Sequence, residues 1–180
     1  MAMTLITTNT SSDAATSDFT SSIDSTYKLY VFKFYDVNPA TDNVNFSFQV
    51  NASDDVGGDF DESYITSTFF QAYHDEADTA TSLGYKTAND QAQGTAFQVL
   101  AQGVGNGSDE CCAGELFLFN PASTTYVKHF YSRFGVYEQS DYKDDDFAAG
   151  YINNTLALSE ISFKFASGNM DAVIKMYGVG

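Results

Sequence analysis

From Val44 to Asn51 the chain alternates strictly: Val44, Phe46, Phe48 and Val50 are apolar, and Asn45, Ser47, Gln49 and Asn51 are polar. Successive side chains of an extended strand point to opposite faces, so the pattern predicts a strand with one face in a core and one face wet. Runs rich in aromatic and β-branched residues over Tyr27 to Tyr35, Tyr64 to Tyr73, Thr95 to Gln102, Glu115 to Asn120, Thr125 to Tyr137, Leu158 to Phe165 and Ala172 to Tyr177 predict further strands. Turn-forming residues punctuate them: Asn38-Pro39, Gly57-Gly58, Gly103 to Ser108, Asn120-Pro121, Asn153-Asn154 and Ser167-Gly168-Asn169. No capped segment of helix length carries an apolar stripe, and neither heptads nor an internal repeat supports a coiled coil or solenoid. Short strands without intervening helices predict an all-β fold, an antiparallel β-sandwich of jelly-roll type over residues 26–180.

Residues 1–25 differ in kind. Ser and Thr crowd this segment, and only Leu5, Ile6, Phe19 and Ile23 are sizeable apolar groups. Holding it in one conformation costs about 1 to 2 kcal/mol of backbone entropy per residue, so its own sheet edge or a neighbouring chain must fix it. It is expected to act as an N-terminal assembly arm.

Composition narrows the function classes. The 180 residues make one domain, able to bury roughly 70% of its extended surface. With 16 Phe and 12 Tyr among them, the chain carries enough large apolar side chains to fold despite its acidity. Lys plus Arg total 8 against 24 Asp plus Glu, a net charge of −16, so nucleic acid and anionic membrane surfaces are expected to be repelled. No apolar run is long enough for a transmembrane helix, and Met1 to Ser12 has neither a basic n-region nor an apolar h-region. Synthesis in a cytoplasm is therefore expected.

Candidate chemistry is sparse. Cys111 and Cys112 are adjacent in sequence, so a ring between them is strained, and a four-ligand zinc site has no further cysteine; reduced packing residues are expected. A nucleophile needs a base within reach, and the two histidines are His74, before Asp75-Glu76 at a strand end, and His129. Alternation puts His129 with Val127 and Tyr131 on one face, and Tyr126, Lys128 and Phe130 on the other, which predicts a hydrogen-bonded sheet histidine. The G-x-S-x-G, P-loop and H-E-x-x-H patterns are absent. Asp54 to Glu62, around Gly57-Gly58, and Asp144-Asp145-Asp146 are acidic loops that could offer oxygens to calcium, but neither has the complete loop ending in a bidentate Glu, and solvated loops are expected. Carboxylate pairs for glycoside hydrolysis occur by chance in so acidic a chain. The stretch Asp141 to Phe147 is similar to a common acidic epitope tag but runs into Ala148-Ala149-Gly150 and reads as native sequence.

The most distinctive passages are Leu116 to Phe130, with Asn120-Pro121-Ala122-Ser123-Thr124 at its centre, Ala149-Gly150-Tyr151, Ile161 to Met170 with Ser167-Gly168-Asn169, and Ile174 to Val179. Together with Asp24 to Tyr27 and Asn38 to Asp42, they resemble a family of tailed-bacteriophage virion structural proteins. The resemblance is weakest over Asp54 to Ala92. In that family the Asn-Pro turn follows a strand, Asn38 to Asp42 fits an opening hairpin, and the chain closes on Ser-Gly-Asn and an aliphatic-Lys-x-Tyr-Gly strand. The residues suit those roles. Pro121 lacks a ladder donor and should push Asn120 into an extended conformation, Ser123 and Thr124 can close the turn, and Gly168 tolerates positive φ between two paired strands.

The resemblance implies a virion role, with no catalytic residues, cofactor or metal. The expected protein is a homo-oligomer, with a trimer foreseen, bound to the major capsid protein or to tail proteins on the virion surface. A capsid decoration (cement) protein is expected ahead of a tail-fibre or receptor-binding head, because the chain provides no stalk. A carbohydrate-binding β-sandwich, with Tyr residues stacked on sugar rings and calcium in an acidic loop, is the alternative from another class.

Overall fold

A computed structural model describes residues 2–53, 60 and 62–180. Among them are thirteen strands and no helix: β1 (Met3–Ala14), β2 (Ser17–Phe19), β3 (Leu29–Pro39), β4 (Val44–Ala52), β5 (Ile65–Asp75), β6 (Thr81–Tyr85), β7 (Ala92–Gly94), β8 (Gln98–Val104), β9 (Cys112–Phe119), β10 (Lys128–Glu138), β11 (Tyr142–Ile152), β12 (Leu158–Phe165) and β13 (Met170–Val179). Every ladder is antiparallel.

The strands form two limbs. The larger runs β1-β13-β3-β9-β10-β11-β5, with β6 and β7 on the outer side of β5; the smaller runs β8-β4-β12-β2. A single bridge, Glu138 to Val104, joins them at one seam. At the other, the Asn9 amide donates to the Asp18 carbonyl at 2.8 Å, tying β1 to β2. The sheet thus nearly closes into a barrel, which leaves few open edges.

Phenylalanines fill the space between the limbs. Phe163 of β12 meets Phe34 at 5.0 Å, Phe32 at 5.4 Å, Phe19 at 6.1 Å and Phe46 at 6.2 Å between ring centroids. Most of these pairs are edge-on or tilted, the arrangement that aromatic quadrupoles favour. The apolar parity of Val44 to Val50 does line this core. Its polar parity, however, is not wet: Ser47, Gln49 and Asn51 are buried. Gln49 donates to the carbonyls of Ser63 and Thr95, so chain leading into β5 and β8 covers that face.

Residues 1–25 supply β1, paired along almost all of β13, and β2, paired with β12. Phe19 and Ile23 enter the common core, so the chain's own sheet edge holds this segment. Asn120 takes a left-handed φ of 47° rather than an extended one. There its carbonyl accepts from the Ser123 amide, and the Ser123 hydroxyl accepts from the Thr125 and Tyr126 amides, closing the β9–β10 hairpin.

Ser167-Gly168-Asn169 does not join a pair of neighbours, because β12 pairs with β4 and β2 while β13 pairs with β1 and β3. The turn carries the chain from one limb to the other. Gly168 sits at φ 74°, where a Cβ would lie 2.3 Å from the Thr41 hydroxyl oxygen, so a side chain is excluded on both counts. The Asn38 to Asp42 connection crosses between limbs in the same way, since β3 and β4 are not paired.

Candidate functional site

Antiparallel register sets side chains in rows across the outward face of the larger limb. One row runs Met3, Val179, Leu29, Phe119 and continues beyond the end of the β9–β10 ladder with His129 and Tyr151, and the next runs Leu5, Tyr177, Val31, Phe117, Tyr131, Ala149. A third runs Lys175, Lys33, Glu115, Arg133, Phe147, Phe70, Tyr85. Within these rows the Phe117 and Tyr131 rings stack at 4.5 Å, and those of Phe70 and Phe147 at 4.7 Å. The Arg133 guanidinium lies 5.2 Å from the Phe147 ring centre. Val31 is fully buried although it points away from the core, because its larger neighbours close over it.

Eleven large apolar side chains are exposed among the described residues. Eight of them (Met3, Leu5, Tyr35, Phe70, Leu83, Tyr85, Phe119 and Tyr131) lie on this one face. Scattered exposed hydrophobics are ordinary on a soluble domain, but concentration on one face marks an interaction surface. Ala113 and Gly135 face each other across β9 and β10, and there the surface is notched by a cavity of about 340 Å³ whose lining also includes Tyr137, Tyr142 and Lys143.

Charge on this face is unlike that of the whole chain. Lys33, Arg133, Lys143 and Lys175, half of the 8 basic side chains, are set against Glu115, Asp145 and Asp171 of the 24 acids. Lys33 meets Glu115 and Arg133 meets Asp145, each at 2.8 Å. The Asp145 carboxyl is held below its ordinary value by Arg133, and the Lys33 ammonium above its own by Glu115. Exposed pairs of this kind contribute little stability; with Glu76 at the notch and Asp90 beside Tyr85 the face still carries a slight excess of acid, but far less than the chain as a whole.

The acidic run is a strand, not a loop, so Asp144 and Asp146 point inward while Asp145 points out. Asp144 accepts from the Gln71 amide at 2.8 Å, and Asp146 from the Gln102 backbone N–H at 2.6 Å. The second Asp146 oxygen has no hydrogen-bond partner among the described residues. Burial pushes the Asp144 carboxyl up to about 6, helped by Glu138, and the Asp146 carboxyl up to about 7, helped by Asp144. Because alternation splits the triplet between two faces, its three carboxylates cannot converge on calcium. Among the described residues no group of three or more His, Cys, Asp or Glu is arranged to hold a metal. The other candidate calcium loop, 54–62, lies almost wholly outside the described residues.

Among the described residues neither histidine meets a nucleophile. His74 is exposed at the end of β5, its Nε2 lying 3.3 Å from an Asp78 carboxylate oxygen. His129 is on a strand, as expected, but faces outward, its ring edge-on to Tyr151 at 6.1 Å, with no side-chain hydrogen bond among the described residues. His129→Ala is therefore expected to change stability by less than about 0.5 kcal/mol in a denaturant melt. A loss above about 1 kcal/mol would contradict this placement. Its neighbour Lys128 is the buried member, its ammonium donating to the Asn154 and Leu156 carbonyls, and burial lowers its pKa. Cys112 lies in the core and Cys111 is half-buried, both free, with burial raising both thiols.

No family model matches the chain, and no curated protein matches it.

Proposed function

We propose that this chain is a structural protein of a tailed-phage virion: a jelly-roll homotrimer, made in the host cytoplasm, that decorates the capsid surface. The observation that carries the assembly role is the outward face of the larger limb, where eight of the eleven exposed large apolar side chains among the described residues collect. A protein that works by contact needs such a face and needs no catalytic constellation. The phage assignment rests on the resemblance of the Asn120 to Thr124 and Ser167 to Gly178 passages.

The strand order supports the jelly-roll reading. The series β1-β13-β3-β9 lies in one limb and β2-β12-β4-β8 in the other. Each chain-adjacent pair (β1 and β2, β3 and β4, β8 and β9, β12 and β13) is divided between the limbs, as when a long double ribbon is wrapped around a barrel.

A reconstitution assay tests the function. Purified chain added to phage particles lacking it is expected to co-sediment saturably with the particles. Failure to bind heads or tails, combined with binding on a glycan array, would replace the virion role by the carbohydrate-binding one. Binding confined to tails would move the chain to the tail-fibre reading.

A further inference from the structure

We infer that the outward face of the larger limb is where copies of this chain meet one another, an inference that rests on the assembly role proposed above. Three observations favour a second copy as the occupant.

The first is size. Seven strands lie side by side from β1 to β5. At about 4.8 Å between strands and about 6.8 Å between rows, the three rows span about 30 Å by 14 Å between backbone positions, on the order of 400 Å² before the relief of the side chains is added. A stable association of standard size buries about 800 Å² on each partner. The rows therefore supply about half of such an interface as flat area, and the upstanding side chains, Leu83 above all, add to it.

The second is charge. Two chains of net charge −16 repel, and they can approach only where the acids are sparse. On this face four basic groups meet five acids (Glu115, Asp145, Asp171, Glu76 at the notch and Asp90 beside Tyr85), whereas the whole chain has 8 against 24. Lys33, Glu115, Arg133 and Asp145 also offer both signs to an identical surface, so a second copy can exchange ion-pair partners with the first. A strongly basic partner would find its carboxylates elsewhere on the molecule.

The third is relief. Leu83, at 73% exposed, and Tyr85 stand up on the short strand β6, while Ala113 and Gly135 form the notch. Knobs and a notch on one face suit packing between copies, and Phe, Tyr, Met and Arg are the side chains enriched at the centres of such interfaces.

Sedimentation velocity on the whole chain tests this, with Tyr131→Glu and Leu83→Glu placing a charge inside the face and Ser167→Glu placing one in the β12–β13 turn as the control. Wild type and Ser167→Glu are expected to sediment as the same oligomer. Both face variants should shift to monomer with the strand-type circular dichroism retained. Because Leu83 is so exposed, its variant tests the face even where Tyr131→Glu fails to fold. Lowering the salt to about 0.01 M, where charges act over ~30 Å rather than ~10 Å at 0.1 M, should shift wild type toward monomer as well. A wild-type chain that stays monomeric at high micromolar concentration, or an oligomer indifferent to both face variants, overturns the inference. A monomer that still binds particles would assign the face to a particle protein and leave the virion role standing. An oligomer dispersed by the face variants that binds no particle would do the reverse.

Discussion

Phe163→Ala is expected to cost about 3–5 kcal/mol of folding stability. The ring is fully buried and lies between the limbs, within 6.5 Å of the rings of Phe19, Phe32, Phe34, Phe46 and Phe48. Removing it takes away the buried area of an aromatic ring and leaves a cavity that the flanking strands, held in register on both sides, cannot close. The total stability of a domain is only about 5–15 kcal/mol, so the variant should melt far earlier in denaturant. Phe117→Ala on the outward face is the comparison, because that ring is half-buried and keeps solvent on one side. It should cost no more than about 1–2 kcal/mol. If the two variants melted together, or Phe163→Ala lost under 1 kcal/mol, the core described between the limbs would be wrong.

Stability is also expected to fall as pH rises from 5 to 8, because of Asp144 and Asp146. Their carboxyls are pushed up to about 6 and about 7 against an ordinary value of 3.8. The folded chain therefore binds these protons more tightly than the unfolded chain does. Their contribution is complete below about pH 4 and is lost as pH climbs through 6 and 7, where two buried carboxylates must ionise side by side, a cost that Lys143 and Lys86 offset only in part. Asp24, Asp75 and Asp145, whose carboxyls hydrogen bonds hold low, slope the other way, but only in the acid region below this window.

Asp146→Asn retains an acceptor for the Gln102 N–H and cannot ionise. It should raise stability at pH 8 by about 2 kcal/mol, on the order of 5 °C in melting temperature for a chain of this size, and change little at pH 5. Thermal melts followed by circular dichroism at a series of pH values give the answer. Identical slopes for wild type and variant would show that Asp146 is not the group being titrated.

Much of the fold was legible because alternation is a local signal. The core parity of β4, β10, β12 and β13 follows from apolar positions two apart, and the absence of helices from the lack of any apolar stripe. What alternation cannot state is which parity faces in. Lys128 and His129 sit on opposite faces of β10, and it is the lysine that is buried, because the carbonyls of Asn154 and Leu156 come from a distant connection.

The unforeseen strands fail for a related reason. Strand β11 is disguised by its acids, which pair with β10 and β5 as well as any residue could. Strand β1 is disguised by its Ser and Thr, since an edge strand needs little apolar content once β13 supplies the ladder. The two limb-crossing turns read as hairpins because turn chemistry fixes the reversal and not the partner. The outward face did leave a trace. Leu116-Phe117-Leu118-Phe119 is apolar at both parities, the mark of a strand covered on both sides, and the second cover is the one a partner would provide.

Labelled-antibody imaging of intact phage particles that encode this chain tests the central claim most directly, since head and tail staining exclude one another. Regular labelling of capsid surfaces, with bare tails, is the expected result. Particles that carry no label on head or tail, although the same antibody detects the chain free in the infected cell, would contradict a virion role.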